Sequence, residues 1–292
     1  MNSVQVGSKF VSEASPTYMI AEIGINHNGD LEIAKKLIDE AVKSGFDAVK
    51  FQKRTVKIVF TEEELARPRE SVFGTTNGDL KFGLEFTHSD FAEIDQHCKK
   101  SGIDWFASPW DNESLEFLEE FNVVAHKVAS ACLTDKELLR GLRATKKPVF
   151  LSTGMSTLDQ IKNAVELLDP QKTILMHAIS VYPAKQEQLH LSWITDLKNN
   201  FPGIPVGYSG HEAGVMPSVI AVAKFGAVCV ERHITLDRSM WGSDQSASLE
   251  PEGMERVVKY IRSIPKVSGT GSKHVLSEEV PILEKLRRVK DF

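Results

Sequence analysis

The sequence predicts an α/β protein folded as a single (β/α)8 TIM barrel, in which parallel strands alternate with helices. Short apolar runs alternate with amphipathic segments from Tyr18 to about Ile264, a pattern typical of parallel strands joined by crossover helices. The length of 292 residues suits one barrel, because this domain commonly needs about 250 residues. An open doubly wound sheet is the alternative, and the absence of G-x-G-x-x-G after the first strand weakens it.

Eight runs have the length and composition of buried strands. In chain order they are YMIAEIG (18 to 24), DAVKFQK (47 to 53), DWFASPW (104 to 110), AHKVAS (125 to 130), PVFLST (148 to 153), TILMHAIS (173 to 180), IPVGYSG (204 to 210) and AVCVERHIT (227 to 235). The first helix is predicted to begin near Asn28-Gly29-Asp30 and to end at Gly45, where a left-handed cap favours glycine.

Other helix boundaries carry local signals. Thr134 precedes Glu137 by three residues, which is the spacing of a capping box. Thr157 and Gln160 have the same spacing ahead of another apolar face. Pro251 suits the first turn of the last crossover helix.

The segments outside this alternation define the expected domain organisation. Residues 4 to 11 predict a small hairpin that we expect to cover the barrel floor. Residues 54 to 86 form a long connection after the second strand, and long connections are often lids or binding loops. We therefore predict one catalytic domain over residues 1–292, with the hairpin within 1–17 and an extension at 265–292.

Composition excludes several classes of function. A net charge of −5 provides no general attraction for nucleic acid or an anionic membrane, so we expect neither partner. Three cysteines are too few and too scattered for a disulfide framework or a zinc cluster, which favours a reducing cytoplasm. The N-terminus lacks a basic region followed by an apolar run, and no apolar stretch approaches about 18 residues. We therefore expect no export signal and no membrane anchor.

Polar side chains stand at the predicted carboxyl ends of the strands, where such barrels place their catalytic groups. They are Glu22, Lys50, Gln52, Ser108, Lys127, Ser130, Ser152, His177, Ser180, Ser209, His211, Glu231 and His233. Any single Ser or Gln carries little information, because polar groups are common where a strand leaves the core. Eight successive strands that end in Lys, Glu, His or Ser indicate an active site.

Lys50 and Lys127 lie within apolar strand sequence, where an ammonium group is costly without an anionic partner. A structural ion pair with Glu22 or Glu231 is one explanation. The other is an anion-binding role, in which the neighbouring serine hydroxyls donate hydrogen bonds to a phosphate or a carboxylate.

His211 and His233 end strands seven and eight, which are adjacent in a barrel. Each histidine alone is ordinarily a hydrogen-bonded structural residue. As a pair they suit a divalent metal ion that water and substrate oxygens complete. His27 and His177 are weaker candidates for the same role.

The same runs, in the same order, resemble the N-acetylneuraminate (sialic acid) synthase family. They are IAEIGINHNGD, DAVKFQK, KVAS, LSTGM, VGYSGH, ERHITLD and SDQSASLEP, and the resemblance spans Tyr18 to Pro251. It implies a (β/α)8 barrel that condenses phosphoenolpyruvate with an open-chain N-acylmannosamine-type aldose, giving a 2-keto sugar acid and phosphate. It also implies Mn²⁺ or a similar divalent ion such as Mg²⁺ or Co²⁺, and we expect a homo-oligomer.

The resemblance assigns roles to individual residues. It makes Glu22 the acid/base carboxylate, and His211 and His233 the metal ligands. The positions that match phosphoenolpyruvate contacts are Lys50, Ser108, Lys127, Ser130, Ser152, Ser180 and Ser209, of which Ser180 stands where the family often has Asn. The positions that match sugar contacts are Gln52, Tyr182 and Asp244.

Three departures from the family pattern concern the acceptor and the metal histidine. Full-length members carry a C-terminal antifreeze-like domain that places an arginine in the partner subunit's site, and we expect this chain to lack it. Cys132 stands where many members have an acidic residue near the acceptor, and Gly210 replaces an Asp common before the metal histidine. We therefore expect weak N-acetylmannosamine binding and a preference for mannose, or for a modified sugar that packs beside Cys132, Tyr182 and Trp241.

Other functions remain open at this point. One is a synthase for a phosphorylated or unacylated aldose, with Arg54, Arg67 and Arg69 in the long connection available for an acceptor phosphate. Another is a Schiff-base aldolase that uses Lys127 or Lys50. A third is a barrel that binds a sugar acid without catalysis, and the presence of the carboxylate, both lysines and both histidines argues against it.

Overall fold

The computed structural model describes residues 3–269 and 271–289. In that part of the chain, eight parallel strands close into a barrel, which confirms the predicted fold. The strands are β1 (Val4–Val6), β2 (Lys9–Val11), β3 (Tyr18–Gly24), β4 (Ala48–Lys53), β5 (Pro68–Ser71), β6 (Gly74–Thr76), β7 (Asp104–Pro109), β8 (His126–Val128), β9 (Val149–Ser152), β10 (Thr173–Ala178), β11 (Val206–Gly210) and β12 (Cys229–His233). The helices are α1 (Leu31–Ser44), α2 (Val56–Val59), α3 (Glu62–Ala66), α4 (Asn77–Gly83), α5 (His88–Ser101), α6 (Asn112–Glu119), α7 (Lys136–Ala144), α8 (Leu158–Leu167), α9 (Trp193–Asn200), α10 (Met216–Ala223), α11 (Pro251–Ser268) and α12 (Val280–Leu286).

The order around the barrel is β3, β4, β7, β8, β9, β10, β11 and β12, and β12 pairs with β3 to close it. Each of the eight predicted strands is present, although most are shorter than predicted. The run predicted at 125 to 130, for example, pairs only over His126–Val128, because a 3-10 helix begins at Ser130. Parallel pairing places every carboxyl end at one mouth of the barrel, where the polar residues of the sequence therefore gather.

The first crossover helix forms as its sequence predicts. The side chain of Asp30 accepts hydrogen bonds from the N–H groups of Glu32 and Ile33, and α1 ends at Gly45, whose φ of 85° is left-handed. The buried face of α1 packs against the barrel strands, and it consists of Ala34, Leu37, Ile38, Ala41 and Ser44.

One predicted helix cap is wrong. Thr157 and Gln160 form the predicted capping box of α8, but Thr134 does not cap α7. Asp135 is the N-cap, and its carboxylate accepts from the N–H of Leu138 at 3.0 Å. Aspartate caps a helix at least as well as threonine, so the helix begins one residue later than the Thr134 spacing requires.

The predicted N-terminal hairpin is β1 paired with β2, at the end of the barrel opposite the mouth. Lys9 Nζ lies 2.6 Å from Oδ1 of Asp47, just before β4 begins. The long connection at 54 to 86 is structured: it contains α2, α3 and α4 together with a second hairpin, β5 paired with β6.

The chain divides into two compact units, Met1–Arg262 and Ser263–Phe292. The first unit contains the barrel, and the second contains the end of α11 together with α12. The ends of the predicted domain at residues 1–2 and 290–292, and Thr270 within the predicted extension, lie outside the described residues. Within residues 3–269 and 271–289, no helix is both long enough and apolar enough to cross a membrane.

Candidate active site

A cavity of about 250 Å³ opens at the carboxyl ends of the barrel strands. The family resemblance assigned roles to thirteen residues, and the lining includes twelve of them, which are Glu22, Lys50, Gln52, Ser108, Lys127, Ser130, Ser152, Ser180, Tyr182, Ser209, His211 and His233. The thirteenth, Asp244, lies beside it, with Oδ2 3.9 Å from Nδ1 of His233. The fold therefore brings together residues that are more than 200 positions apart in the chain.

Two lysines and two glutamates form a buried cluster on the cavity floor. Lys50 Nζ lies 2.8 Å from Oε2 of Glu22 and 3.7 Å from Oε1 of Glu231. Lys127 Nζ donates to both oxygens of Glu231, at 3.0 and 3.1 Å. Each of the four side chains belongs to a residue at most 3% exposed. The ion pairs expected of buried lysines are thus present, and both lysines also face the cavity.

The charges of this cluster shift one another's pKa values. Burial disfavours the Lys50 ammonium, but the Glu22 and Glu231 carboxylates outweigh burial and raise its pKa. Burial, with repulsion from Lys50, lowers the pKa of Lys127 despite the attraction of Glu231. Burial alone would raise the pKa of Glu231, yet Lys127 and Lys50 hold it at about 2. A charged Lys50 and an ionised Glu231 are therefore stable features of the cavity near neutral pH.

Serine hydroxyls surround the lysine cluster. Ser108 Oγ accepts from Lys50 at 3.1 Å, and Ser209 Oγ donates to Oε1 of Glu231 at 3.0 Å. Ser180 Oγ is buried and, among the described residues, has no hydrogen-bond partner. A methyl group at Gly154 would stand 2.4 Å from Ser180 Oγ and 2.7 Å from Ser130 Oγ. Glycine at this position therefore lets the two hydroxyls approach each other beside its Cα. Both serines line the cavity, and we call this part of the cavity wall the niche; its hydroxyls could donate to the oxygens of an anion.

Glu22 is held from two sides. Gln52 Nε2 donates to Oε1 of Glu22 at 2.9 Å. The other oxygen, Oε2, makes the ion pair with Lys50 at 2.8 Å. A carboxylate fixed in this way at the cavity wall can accept a proton from a bound water molecule.

The two predicted metal histidines are neighbours, with ring centroids 5.6 Å apart. His211 Nδ1 lies 2.6 Å from the carbonyl oxygen of Ile179, and a carbonyl can only accept, so Nδ1 carries the proton. Nε2 is then the lone-pair nitrogen, and it accepts from the Tyr182 hydroxyl at 3.0 Å. Burial and the nearby His233 lower the pKa of His211 to about 3, which keeps the imidazole neutral.

This pair fits a divalent ion. His233 Nδ1 is buried without a hydrogen-bond partner in the described residues, and His211 Nε2 is a lone-pair donor whose other nitrogen is fixed by a backbone carbonyl, as in many metal-bound histidines. Residues 3–269 and 271–289 hold no group of three or more His, Cys, Asp and Glu side chains placed for a metal. Water and substrate would therefore supply the remaining ligands.

The NeuB family model matches residues 37–273. The chain belongs to the NeuB family. Its relatives include sialic acid synthases, which confirms the resemblance that the motifs indicated.

Relatives of this NeuB-family chain are named as synthases of sialic acids and related acids. Human N-acetylneuraminate-9-phosphate synthase is 38% identical over 282 residues, which are 95% of this chain and 78% of the relative. N,N'-diacetyllegionaminic acid synthase of Legionella pneumophila is 33% identical over 281 residues, covering 93% of this chain and 78% of the relative. The crystal structure of N-acetylneuraminic acid synthetase from Leptospira borgpetersenii, in complex with citrate, superposes with a TM-score of 0.83 at 30% identity and covers 98% of both chains.

Two weaker metal-ligand candidates, His27 and His177, lie outside the cavity lining of this NeuB-family barrel. His177 Nε2 is hydrogen-bonded to the carbonyl of Leu189 at 2.8 Å. His27 Nδ1 accepts from the N–H of Gly29 at 3.0 Å, and its ring is stacked on Phe86. Both histidines therefore have structural partners, which agrees with the expectation that they are weaker candidates for metal binding.

The expectation that Cys132 contacts the acceptor is wrong. Cys132 packs in the apolar cluster that includes Leu115 and Leu133, and it does not line the cavity. Ser130 and Ala131 do line it. The three residues form a 3-10 helix, which turns successive side chains by about 120°, so Cys132 points away from the cavity that its neighbours face.

The departure at Gly210 has a packing reason that the sequence does not reveal. A methyl group there would stand 2.7 Å from Oε2 of Glu212 and 2.8 Å from the Tyr208 ring. Glu212 is 1% exposed and pairs with the buried Arg232, with Oε1 2.9 Å from Nη1. The acidic side chain beside this strand end thus belongs to Glu212, which pairs with Arg232 of β12.

Sequence reasoning missed Trp110, which lines the cavity, and Gly154, which lies behind the lining residues Ser130 and Ser180. Gly154 lies in the LSTGM run, and a glycine directly after a barrel strand is the signal that could have indicated a close approach. Trp110 ends the predicted third strand and lines the cavity. The guanidinium of Arg54 lies over the Trp110 ring, 4.4 Å from its centroid, a contact that no local pattern indicates.

Proposed function

We propose that this chain condenses phosphoenolpyruvate with an open-chain N-acylmannosamine or a related aldose, giving a 2-keto-3-deoxy sugar acid and phosphate. The observation that carries the proposal is the single cavity in which a buried carboxylate, two lysines, a serine-lined niche and two imidazoles meet. Family membership supports it, because the relatives are named as synthases of sialic and legionaminic acids.

The donor would occupy the lysine and serine side of the cavity. Lys50 and Lys127 balance the charge of Glu22 and Glu231, so the cluster of four is close to neutral before a ligand binds. Hydrogen bonds must therefore contribute much of the binding of an anion. The niche beside Gly154, with the Ser130 and Ser180 hydroxyls, offers two such donors.

The reaction follows from this placement. The C3 carbon of the enol phosphate forms a bond to the aldehyde carbon of the acceptor, and positive charge develops at C2. Water adds at C2 and transfers a proton to Glu22, whose carboxylate is held by Gln52 and Lys50. The aldehyde oxygen, left as an alkoxide by the new C–C bond, takes up the proton held by Glu22. The C2–O bond to phosphate then breaks as the C2 hydroxyl gives its proton to the departing phosphate and becomes the 2-keto group, while Lys50 stabilises that anion.

The imidazoles of His211 and His233 would hold a divalent ion, for which Mn²⁺ is our expectation. When bound, such an ion supplies Lewis-acid polarisation of a substrate carbonyl. Tyr182 and Asp244 stand beside the two rings and would orient the acceptor hydroxyls. A cytoplasmic location and a homo-oligomer stay predictions.

A Schiff-base aldolase is less well supported by the same geometry. Its lysine must act as a free amine, whereas Lys127 donates to both oxygens of Glu231 and Lys50 is held between two carboxylates. Borohydride treatment with pyruvate should accordingly leave the mass of the protein unchanged.

The test is release of inorganic phosphate from phosphoenolpyruvate in the presence of Mn²⁺ and an aldose, with products identified by mass. Mannose, N-acetylmannosamine and its 6-phosphate form the panel. We expect release only when acceptor and metal are both present, because the reacting groups must meet in one site. Release without an aldose, or undiminished turnover after chelation, would count against the mechanism.

A further inference from the structure

A second cavity, of about 480 Å³, has a lining that shares no residue with the active-site cavity. Its walls come from the loop after β3, from the long connection at 54 to 86 and from the segment before Asp244. The polar side chains in its lining belong to Asn28, Arg69, Glu70, Lys81 and Ser243, and Trp241 forms an aromatic wall.

Two chain segments lead from residues in or beside the active-site cavity to residues that line the second cavity. A side chain built at Gly24 would lie 3.1 Å from Oε1 of Glu22, and the next residue, Ile25, lines the second cavity. Ser243 lines the second cavity, and the next residue, Asp244, has its carboxylate 3.9 Å from His233. A ligand that begins between Glu22 and His233 and extends past Asp244 therefore reaches the second cavity.

The second cavity is lined by positively charged side chains whose charge is not fully balanced by carboxylates. Lys81 forms no ion pair within the part of the chain that the structure describes, and its ammonium lies 4.7 Å from the centroid of the Phe60 ring. Burial, with Arg54 and Arg69, lowers the pKa of Lys81, and Asp244 and Glu85 only partly oppose this. Arg69 contacts the side-chain oxygen of Asn77 at 3.4 Å. Glu70 is the acidic residue of the lining, so two cations face one carboxylate.

A buried acceptor atom adds an independent observation. Asn28 has a φ of 52°, and its side-chain oxygen is buried with no hydrogen-bond partner in the described residues. Since a buried carbonyl oxygen without a donor is costly, it suits a ligand hydroxyl group. The cavity thus combines an acceptor atom for a ligand hydroxyl group with cations for an anionic group. A phosphorylated sugar carries both kinds of group.

We propose that the second cavity binds a terminal phosphate of the aldose acceptor, with Lys81 and Arg69 as its cationic partners. This assignment rests on the proposed function and makes the acceptor a phosphorylated open-chain aldose. The aldehyde end lies beside Glu22 and His233, and the phosphate end lies beyond Asp244. Trp241 covers the carbon chain between them, and it is itself packed edge-on against Phe73 of the long connection.

Kinetics of the full chain with paired acceptors test the proposal. The measurement is kcat/KM for N-acetylmannosamine 6-phosphate and for N-acetylmannosamine, at saturating phosphoenolpyruvate and Mn²⁺, in wild type, Lys81→Gln and Arg69→Gln. We expect wild type to favour the phosphorylated acceptor by at least about tenfold, and Lys81→Gln to lose about 10- to 100-fold with it, the range for one charge-assisted hydrogen bond. The unphosphorylated acceptor should change less than about threefold, because its ligands lie in the first cavity.

Arg67→Gln is the matched control. It removes the same charge from the same connection, but Arg67 is exposed, pairs with Glu63 at 3.6 Å and does not line the cavity. It should leave both acceptors unchanged. Equal use of the two acceptors by wild type, or equal losses with both in Lys81→Gln, would overturn the assignment.

Calorimetry separates this assignment from the proposed function. The probes are N-acetylmannosamine 6-phosphate, N-acetylmannosamine and inorganic phosphate, each without phosphoenolpyruvate. Binding of the sugar phosphate that is lost in Lys81→Gln and retained in Arg67→Gln supports the subsite. Binding that survives Lys81→Gln, or inorganic phosphate that binds as tightly as the sugar phosphate, contradicts it. If no aldose releases phosphate, the proposed function fails and this titration alone decides the subsite.

Discussion

Replacement of Gly154 by alanine tests the donor site at its narrowest point. The added methyl would stand 2.4 Å from Ser180 Oγ, 2.7 Å from Ser130 Oγ and 3.3 Å from the carbonyl oxygen of Ala178. Gly154 is not among the residues with positive φ, so alanine can adopt its backbone conformation. The two closest atoms end short rotatable side chains, and we expect rotation of the hydroxyls rather than loss of the fold.

The size of the effect follows from what the hydroxyls would donate. A hydrogen bond to a charged ligand contributes about 1.5 to 3 kcal/mol. Because each 1.4 kcal/mol is about a factor of ten, displacing one hydroxyl should weaken phosphoenolpyruvate binding by about 10- to 100-fold. Displacing both should weaken it further.

The assay is the dissociation constant for phosphoenolpyruvate by calorimetry, together with its KM and the melting temperature. Gly253→Ala is the control, since its methyl would meet Leu249 only at 3.4 Å, an ordinary contact, inside α11. It should leave donor binding unchanged and should stabilise the helix by up to about 1 kcal/mol. A dissociation constant within about twofold of wild type in Gly154→Ala, at an unchanged melting temperature, would refute the niche as part of the donor site.

Two further predictions concern the acid/base carboxylate and the histidines. Glu22→Gln should retain donor and Mn²⁺ binding but lose about 10²- to 10⁴-fold in kcat, the range for removal of a general acid/base. Near-normal turnover would show that another carboxylate acts as the base, and Glu231 would be tested next. His211→Ala and His233→Ala should each lose Mn²⁺ affinity in calorimetry. Circular dichroism should show an intact barrel, because both side chains lie at its mouth. Unchanged Mn²⁺ binding in either variant would show that the replaced histidine is not a metal ligand.

Most of the barrel could be predicted because its signals are local. A parallel strand buried on both faces is a short apolar run, and a crossover helix shows its apolar stripe within its own length. Asp30, Gly45 and Pro251 act on residues within one helical turn, and all three stand where the sequence placed them. The cap of α7 failed because Thr134 and Asp135 are adjacent capping residues, and propensity alone does not choose between them.

The candidate site was predictable as a set of residues and not as an arrangement. The carboxyl ends of parallel strands converge, so polar residues at those ends could be collected from the sequence before any distance was known. The pairing of Lys50 with Glu22, and of Lys127 with Glu231, depends on which strands are neighbours once the barrel closes. Cys132 was misplaced because one step along a 3-10 helix separates the cavity from the core.

The sequence by itself determined the fold class, the mouth of the barrel as the position of the site, and the residue types that meet there. Only the tertiary structure decided which hydroxyls flank Gly154, which nitrogen of His211 carries the proton, and that Asn28, Lys81 and Trp241 share a second cavity. The physical reason is the distance along the chain over which each kind of interaction acts. Periodicity and capping act over one or two turns of chain, whereas ion pairs, buried unpaired atoms and cavities form between segments that meet only after the barrel has closed.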